Sequence, residues 1–353
     1  MDENSTAIKS TGENITEVPD VSLDLTWQLA MAINLYFKYA VLVMAIFGTA
    51  ANGLTIYALL ANNARDAKKR VINLLIINQN VLDLLCCILF IISACIQIYN
   101  IYLMGAFGYF LCAFFVNDRA THCALHASIF NLVAVTVERY LKVVYPFWSK
   151  KHLKSWVAYV AMAFAWISGI IYIVPTSILM SRVENGSCLR QFHSGFIIHQ
   201  SCTLTIFFFL PLIVFVYCYR RIVFVMRRQM RVMAGHTGEG SSQMNAPQAQ
   251  SKRIKWNIIK TMIIVSISFV VSWSPINILT LHVTFVGPTT FTIVGLYPAM
   301  FLVYLNICMN PFIYGLKHEG VKQELARLFS CRKTNSVGNT SRIRSSNRAN
   351  TTT

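Results

Sequence analysis

The sequence predicts an all-α membrane protein, a seven-transmembrane helix bundle followed by a short amphipathic cytoplasmic helix. Three observations carry this. The 353-residue chain is 55% hydrophobic and only 13% charged, which is more apolar surface than one soluble core can bury. Apolar runs of about 20 residues, the length that crosses a hydrocarbon layer about 30 Å thick, recur along it. Basic side chains collect in alternate connections between those runs, the pattern that orients a bundle in a bilayer.

Taken in order, residues 1–36 form a polar tail carrying Asp2, Glu3, Glu13, Glu17, Asp20 and Asp24. The tail lacks the short apolar stretch and small-residue cleavage site of a signal peptide, so none is expected. The bundle occupies residues 37–316, with spans expected at 37–61, 71–98, 109–143, 156–179, 196–225, 258–283 and 291–316. Lys68, Lys69 and Arg70 follow the first span, Lys150, Lys151 and Lys154 the third, and Arg220, Arg221, Arg227, Arg228, Lys252 and Arg253 surround the fifth-to-sixth connection. That side is read as cytoplasmic and the amino terminus as extracellular. The formal net charge of +17 is thereby spent on orientation. It is not interleaved with exposed aromatic residues, and no nucleic-acid partner is expected.

The connection 234–250 is rich in Gly, Ser, Gln and Asn and reads as a flexible cytoplasmic linker. Residues 317–331 hold the amphipathic helix, with Val321, Leu325, Leu328 and Phe329 on one face, set to lie along the inner leaflet. The tail, 332–353, is Ser, Thr, Asn and Arg with few large apolar residues; it is expected to be disordered, with hydroxyls open to phosphorylation. Asn4, Asn14 and Asn185 begin glycosylation sequons on the outer side, whereas Asn339 and Asn350 match on the wrong one. Cys331 is a candidate for palmitoylation, with a plain thiol as the alternative. Cys112 and Cys188 both face the oxidising side and are candidates for a disulfide joining loop to helix.

Polar residues inside the spans stand out because lipid makes them costly. Asp83 is the one acid deep in the second span, where an ionised carboxylate costs at least ~2.5 kcal/mol unless it is paired. Asn52, Ser128, Asn306 and Asn310 recur at similar depth and would complete a hydrated pocket. Asp83 and Ser128 are then candidate ligands for a sodium ion, which prefers oxygen. The plainer alternative is hydrogen-bonded glue between helices. In Asn310-Pro311-Phe312-Ile313-Tyr314 the proline removes a backbone hydrogen bond at a cost of about 3 kcal/mol, tolerable where neighbours compensate. Glu138-Arg139-Tyr140 ends the third span, pairing adjacent opposite charges beneath a guanidinium fork.

These residues, in this order, resemble a rhodopsin-like (class A) G-protein-coupled receptor over roughly residues 37–331. The marks are Asn52, Asp83, Glu138-Arg139-Tyr140, Trp166, Pro211 with Tyr219 below it, Ser272-Trp273-Ser274-Pro275 and Asn310-Pro311-Phe312-Ile313-Tyr314. The resemblance implies a plasma-membrane, multi-pass receptor that is no enzyme and needs no cofactor beyond an allosteric sodium ion. Its partners would be an extracellular ligand, a heterotrimeric G protein, arrestin, a receptor kinase and membrane lipid. Trp273 would sit beneath the ligand, with Ile129, Pro211 and Phe269 as the packed trio that transmits its movement. Arg139, Tyr219, Pro311 and Tyr314 would rearrange as the sixth helix swings outward, with Glu138, Arg139, Tyr140 and Lys255 at the G-protein cleft.

Three departures qualify the resemblance. Cys112 and Arg139 lie two residues further apart than is usual, so the outer third helix contains an insertion or bulge. Lys255 stands where many relatives carry an acid able to pair with Arg139, which predicts raised basal signalling. The seventh span has no lysine to anchor retinal. The expected pocket comprises Asp118, Thr121, His122, Leu125, His199, Thr203, Phe207, Trp273, Asn277, Thr280, Met300 and Tyr304, with His282 nearby. Its mixed aromatic and histidine character, below an acidic tail, favours a peptide ligand, especially a basic one. An amine or other small molecule is the alternative, through Asp118 and Tyr304. A seven-helix transporter is the remote one, because no relay of ionisable groups crosses the spans.

Overall fold

The computed structural model describes residues 21–63, 70–99, 101–191, 195–235, 246–287, 289–317 and 319–330. Among them, seven helical stretches are long and apolar enough to cross a membrane: Leu35–Ala61, Val71–Ile98, Arg119–Val144, Ser155–Leu179, Ile197–Gln229, Ile259–Val286 and Val294–Ile313. Their outward faces are apolar, as at Phe47, Phe164, Ile171 and Val271, which lipid accommodates and water does not.

Helix α1 (Val21–Asn63) packs on α2 (Arg70–Ile98) and on α10 (Thr290–Lys317). Gly48 permits this closeness, since a Cβ there would lie 2.7 Å from Cys87 Sγ and 2.8 Å from Cys308 Sγ. The helix of the first span begins within the expected polar tail, since the chain is helical from Val21, while the membrane-length stretch starts at Leu35. No Gly or Pro interrupts residues 21–47, and Leu, Gln, Ala and Met there favour the helix. Likewise residues 246–250, assigned to a flexible linker, open α9 (Ala246–Val286), with Pro247 in the first turn, where it costs little.

The third span is broken rather than continuous over 109–143. Helix α3 (Gly105–Leu111) runs into a wide π-helical turn, Cys112–Val116, and Asp118 adopts φ 55° and ψ 18° before α4 (Arg119–Val144) begins. A wide turn and a left-handed residue take up extra chain without displacing the rest of the helix, which accounts for the long Cys112 to Arg139 spacing. Helix α5 (Pro146–His152) and α6 (Ser155–Leu179) lead to a hairpin of β1 (Ser181–Glu184) and β2 (Ser187–Arg190), with Val183 opposite Cys188. Asn185 and Gly186 both have positive φ, 49° and 76°, the tight turn that suits twisted strands.

The fifth span repeats the device of the third. Helix α7 (Phe196–Leu204), a wide turn at Thr205–Phe209 and α8 (Leu210–Gly235) form one rod. Pro211, buried, has no N–H for the Phe207 carbonyl, and the wide turn lies where that bond is missing. Helix α11 (Glu319–Ser330) follows α10 and buries Val321 beside Leu325, while Glu324 holds Arg327 at 2.9 Å.

Candidate functional site

A chain of polar groups crosses the middle of the bundle. Asp83 is 1% exposed. Asn310 Nδ2 donates to its Oδ2 at 2.7 Å, Ser128 Oγ to its Oδ1 at 3.0 Å and Gln79 Nε2 to Oδ1 at 3.3 Å. Gln79 also donates to Ser128 Oγ, and its own carbonyl accepts from Asn131 Nδ2 at 2.8 Å. Asn78 Nδ2 donates to Asn131 Oδ1 at 2.9 Å, and Trp166 Nε1 to Asn78 Oδ1 at 3.0 Å. Spans two, three, four and seven are thus joined by side chains alone. In a medium without water such donors satisfy a carboxylate that would otherwise be prohibitive.

Sequence reasoning placed Ser128 and Asn310 by Asp83, where the structure puts them. It missed Gln79, Asn78 and Asn131, whose one signal was three amides inside apolar runs. Asn52 does not reach Asp83; its Nδ2 donates to Gly48 O at 2.9 Å within its own helix. Asn306 lines the small cavity that Asp83, Gln79, Ser128 and Asn310 share with Trp273, Phe269 and Ile129. Among the described residues no group of three or more His, Cys, Asp or Glu gathers as a metal site. What the cavity offers a hard cation is oxygen: Asp83, Ser128 and the buried Oδ1 atoms of Asn306 and Asn310, which have no partner. That set suits sodium. Gln79 opposes it, because its N–H groups already point at Asp83 and Ser128.

Above the cavity, Phe269 and Trp273 lie 5.7 Å apart between ring centres, and Phe215 meets Phe269 edge-on at 5.7 Å. Ile129 and Phe269 belong to one buried apolar cluster. The expected pocket residues divide into two groups. His199 stacks on Tyr172 at 5.0 Å; the Tyr172 hydroxyl contacts Thr203 at 2.6 Å, and Phe207 meets His126 edge-on at 3.9 Å. His122 Nδ1 donates to Asp118 O at 2.8 Å and His126 Nδ1 to His122 O at 2.7 Å. Each ring is therefore protonated at Nδ1, and its Nε2 faces away from the backbone.

Tyr304, Leu125 and Met300 instead join an apolar cluster drawn from spans one, two, three and seven, where Tyr304 packs on Phe90 at 4.7 Å. Tyr304 and Leu125 are 5% and 4% exposed and Phe207 is 3%, so these three are core side chains. Asp118 accepts from the Ser93 hydroxyl on the second span. Thr121 is buried with an unpartnered hydroxyl. Asn277 Nδ2 donates to Trp273 O at 2.8 Å, Thr280 O accepts from Thr284 at 2.8 Å, and His282 lies 6.3 Å from Phe291. Cys112 is bonded to Cys188 with Cα atoms 5.3 Å apart, and Asn117 Nδ2 donates to Ser181 Oγ at 2.9 Å. The hairpin is tied to the wide turn.

At the other end, Glu138 is 4% exposed and sits between Arg139 Nε at 3.4 Å and Lys142 Nζ at 2.5 Å. Lys142 went unnoticed in the sequence. Tyr219 OH contacts Thr136 Oγ1 and Ser266 Oγ, each at 3.1 Å, bridging spans three, five and six. Tyr140 lies 5.8 Å from both Tyr145 and Tyr217. A cleft of about 900 Å³ opens here, bounded by Arg139, Lys142, Lys150, Lys154, Met226 and Ile259. The side chains of Lys255 and Tyr314, and all of Cys331, Asn4 and Asn14, lie outside the described residues. Asn185 is exposed at the hairpin tip.

The family model described as "7 transmembrane receptor (rhodopsin family)" matches residues 51–314. Galanin receptor 2b of Danio rerio is 27% identical over 299 residues, covering 81% of this chain and 72% of its own. Somatostatin receptor type 5 of Rattus norvegicus is 28% identical over 324 residues, covering 87% and 83%. The crystal structure of squid rhodopsin superposes with a TM-score of 0.67 at 19% identity, covering 86% of this chain and 87% of that one, which supports the fold. A match over most of the bundle, together with seven membrane-length helices, four of them joined by one polar network, establishes that the chain belongs to the rhodopsin family of seven-transmembrane receptors.

Proposed function

We propose that this receptor binds an extracellular peptide and activates heterotrimeric G proteins by outward movement of the sixth helix. The observation that carries the reading is the shared cavity. Trp273, Phe269 and Ile129 line the same small space as Asp83 and Asn310, so a ligand that turns Trp273 also disturbs the polar tie to the Pro311 break. The agonist must bind the open arrangement better than the closed one, by the free energy it supplies. The peptide assignment is supported by relatives named as galanin and somatostatin receptors. An amine fits less well, since Asp118 is engaged by Ser93 and Tyr304 is packed against Phe90.

In this reading the amino terminus is extracellular and the basic cleft around Arg139 receives the G protein, later arrestin and a receptor kinase. Asn4, Asn14 and Asn185 carry glycans. The Asp83 cavity takes a sodium ion in competition with the Gln79 amide, both seeking the same carboxylate and hydroxyl. The deciding experiment is a peptide and amine library applied to cells carrying calcium and cyclic-AMP reporters. A response to a peptide is expected. Response to amines alone, abolished by Asp118→Asn, would overturn the assignment.

A further inference from the structure

Between α8 and α9, on the outer face of the bundle, runs a groove of about 1020 Å³. Its upper walls are apolar and face outward: Val216 is 51% exposed, Ile267 56% and Val271 63%. Its floor is closed toward the bundle interior by the Tyr219 hydroxyl bonded to Ser266, so the groove opens to lipid. Its lower end is basic, lined by Arg220, Arg221, Arg227 and Arg228. On α8 these follow the apolar residues down one stripe at helical spacing. Among the described residues, none of the four guanidiniums joins an ion pair.

Depth gives the arginines their meaning. The fifth span begins at Ile197, and a rise of about 1.5 Å per residue puts Arg220 and Arg221 about 35 Å along, just past a hydrocarbon layer of about 30 Å. Arg227 and Arg228 lie two turns further, about 10 Å beyond. One tier is at the level of a lipid phosphodiester and the other at the level of its headgroup. Guanidinium forks suit phosphate and carboxylate oxygens, whereas the cationic group of a zwitterionic lipid would meet the lower tier with like charge. We infer that the groove between α8 and α9 holds one anionic phospholipid of the inner leaflet. An acyl chain lies along Val216, Ile267 and Val271, the phosphodiester on Arg220 and Arg221, and the anionic headgroup on Arg227 and Arg228.

The test uses the full chain in nanodiscs of phosphatidylcholine alone, with added phosphatidylserine, or with added phosphatidylinositol bisphosphate, followed by native mass spectrometry of retained lipid. The anionic lipids should be retained over phosphatidylcholine, and the inositol lipid the more strongly, because its phosphates reach the lower tier. Arg220→Gln with Arg221→Gln should cut retention roughly tenfold or more. Val271→Trp, which fills the groove and leaves every charge in place, should also reduce it. Equal retention of phosphatidylcholine by the wild type would overturn the inference. So would loss through Lys150→Gln with Lys151→Gln instead, or an undiminished signal in Val271→Trp, which would reduce the effect to diffuse surface charge.

Discussion

Gln79 is the residue on which the polar core turns. Its amide donates to Asp83 and Ser128 and accepts from Asn131, occupying the oxygens a cation would use. Gln79→Leu should therefore enlarge the rise in melting temperature that sodium chloride gives over choline chloride; an equal rise in both proteins would refute the competition. Gly186 shows a different constraint. Its φ is 76° and a Cβ would fall 1.9 Å from Tyr102, with Leu103 N–H bonded to its carbonyl at 3.0 Å. Gly186→Ala should cost about 1–3 kcal/mol, seen as a lower melting temperature or reduced surface expression. Asp83 could be singled out from sequence because lipid penalises it. Gln79 could not, since an amide in an apolar run does not reveal which neighbour it faces.

At the scale of elements, the third and fifth spans owe their shape to wide turns at Cys112–Val116 and Thr205–Phe209. The first resolves a register that spacing left open. Counting from Cys112 or from Arg139 gives different pocket residues because extra chain is absorbed between them, and π turns carry no composition signal of their own. The span count and approximate limits were readable because 20-residue apolar runs are a strong signal, while the early start of α1 was hidden by Asp24 and the acidic stretch before it. The hairpin and the wide turn are held by Cys112–Cys188 and by Asn117. Cys188→Ser should cost about 2–5 kcal/mol and free the outer end of α4. Hydrogen exchange should then rise across Cys112–Val116 while the spans below stay protected; unchanged exchange there would show that Asn117 suffices.

At the scale of the whole molecule, the proposed function requires that the cavity beneath Trp273 and the basic cleft beyond Tyr219 be linked through Phe269, Asp83 and the Pro311 break. Arg139 pairs with Glu138, which Lys142 also holds, and residue 255, where many relatives carry an acid, is a lysine. Basal nucleotide exchange should be high, and Lys255→Glu should lower it by restoring the acid that many relatives carry at this position; an unchanged basal rate would remove Lys255 from the account. The family was legible because its marker residues are dispersed in fixed order along the chain. The ligand was not, because the candidate pocket splits into an aromatic histidine group and a set of core side chains, a division made by packing alone. The most direct test of the linkage is peptide-driven G-protein activation by Asn310→Ala at matched surface expression. Loss of the 2.7 Å bond to Asp83 predicts that the response falls well below wild type with peptide binding retained. A wild-type response would contradict the linkage.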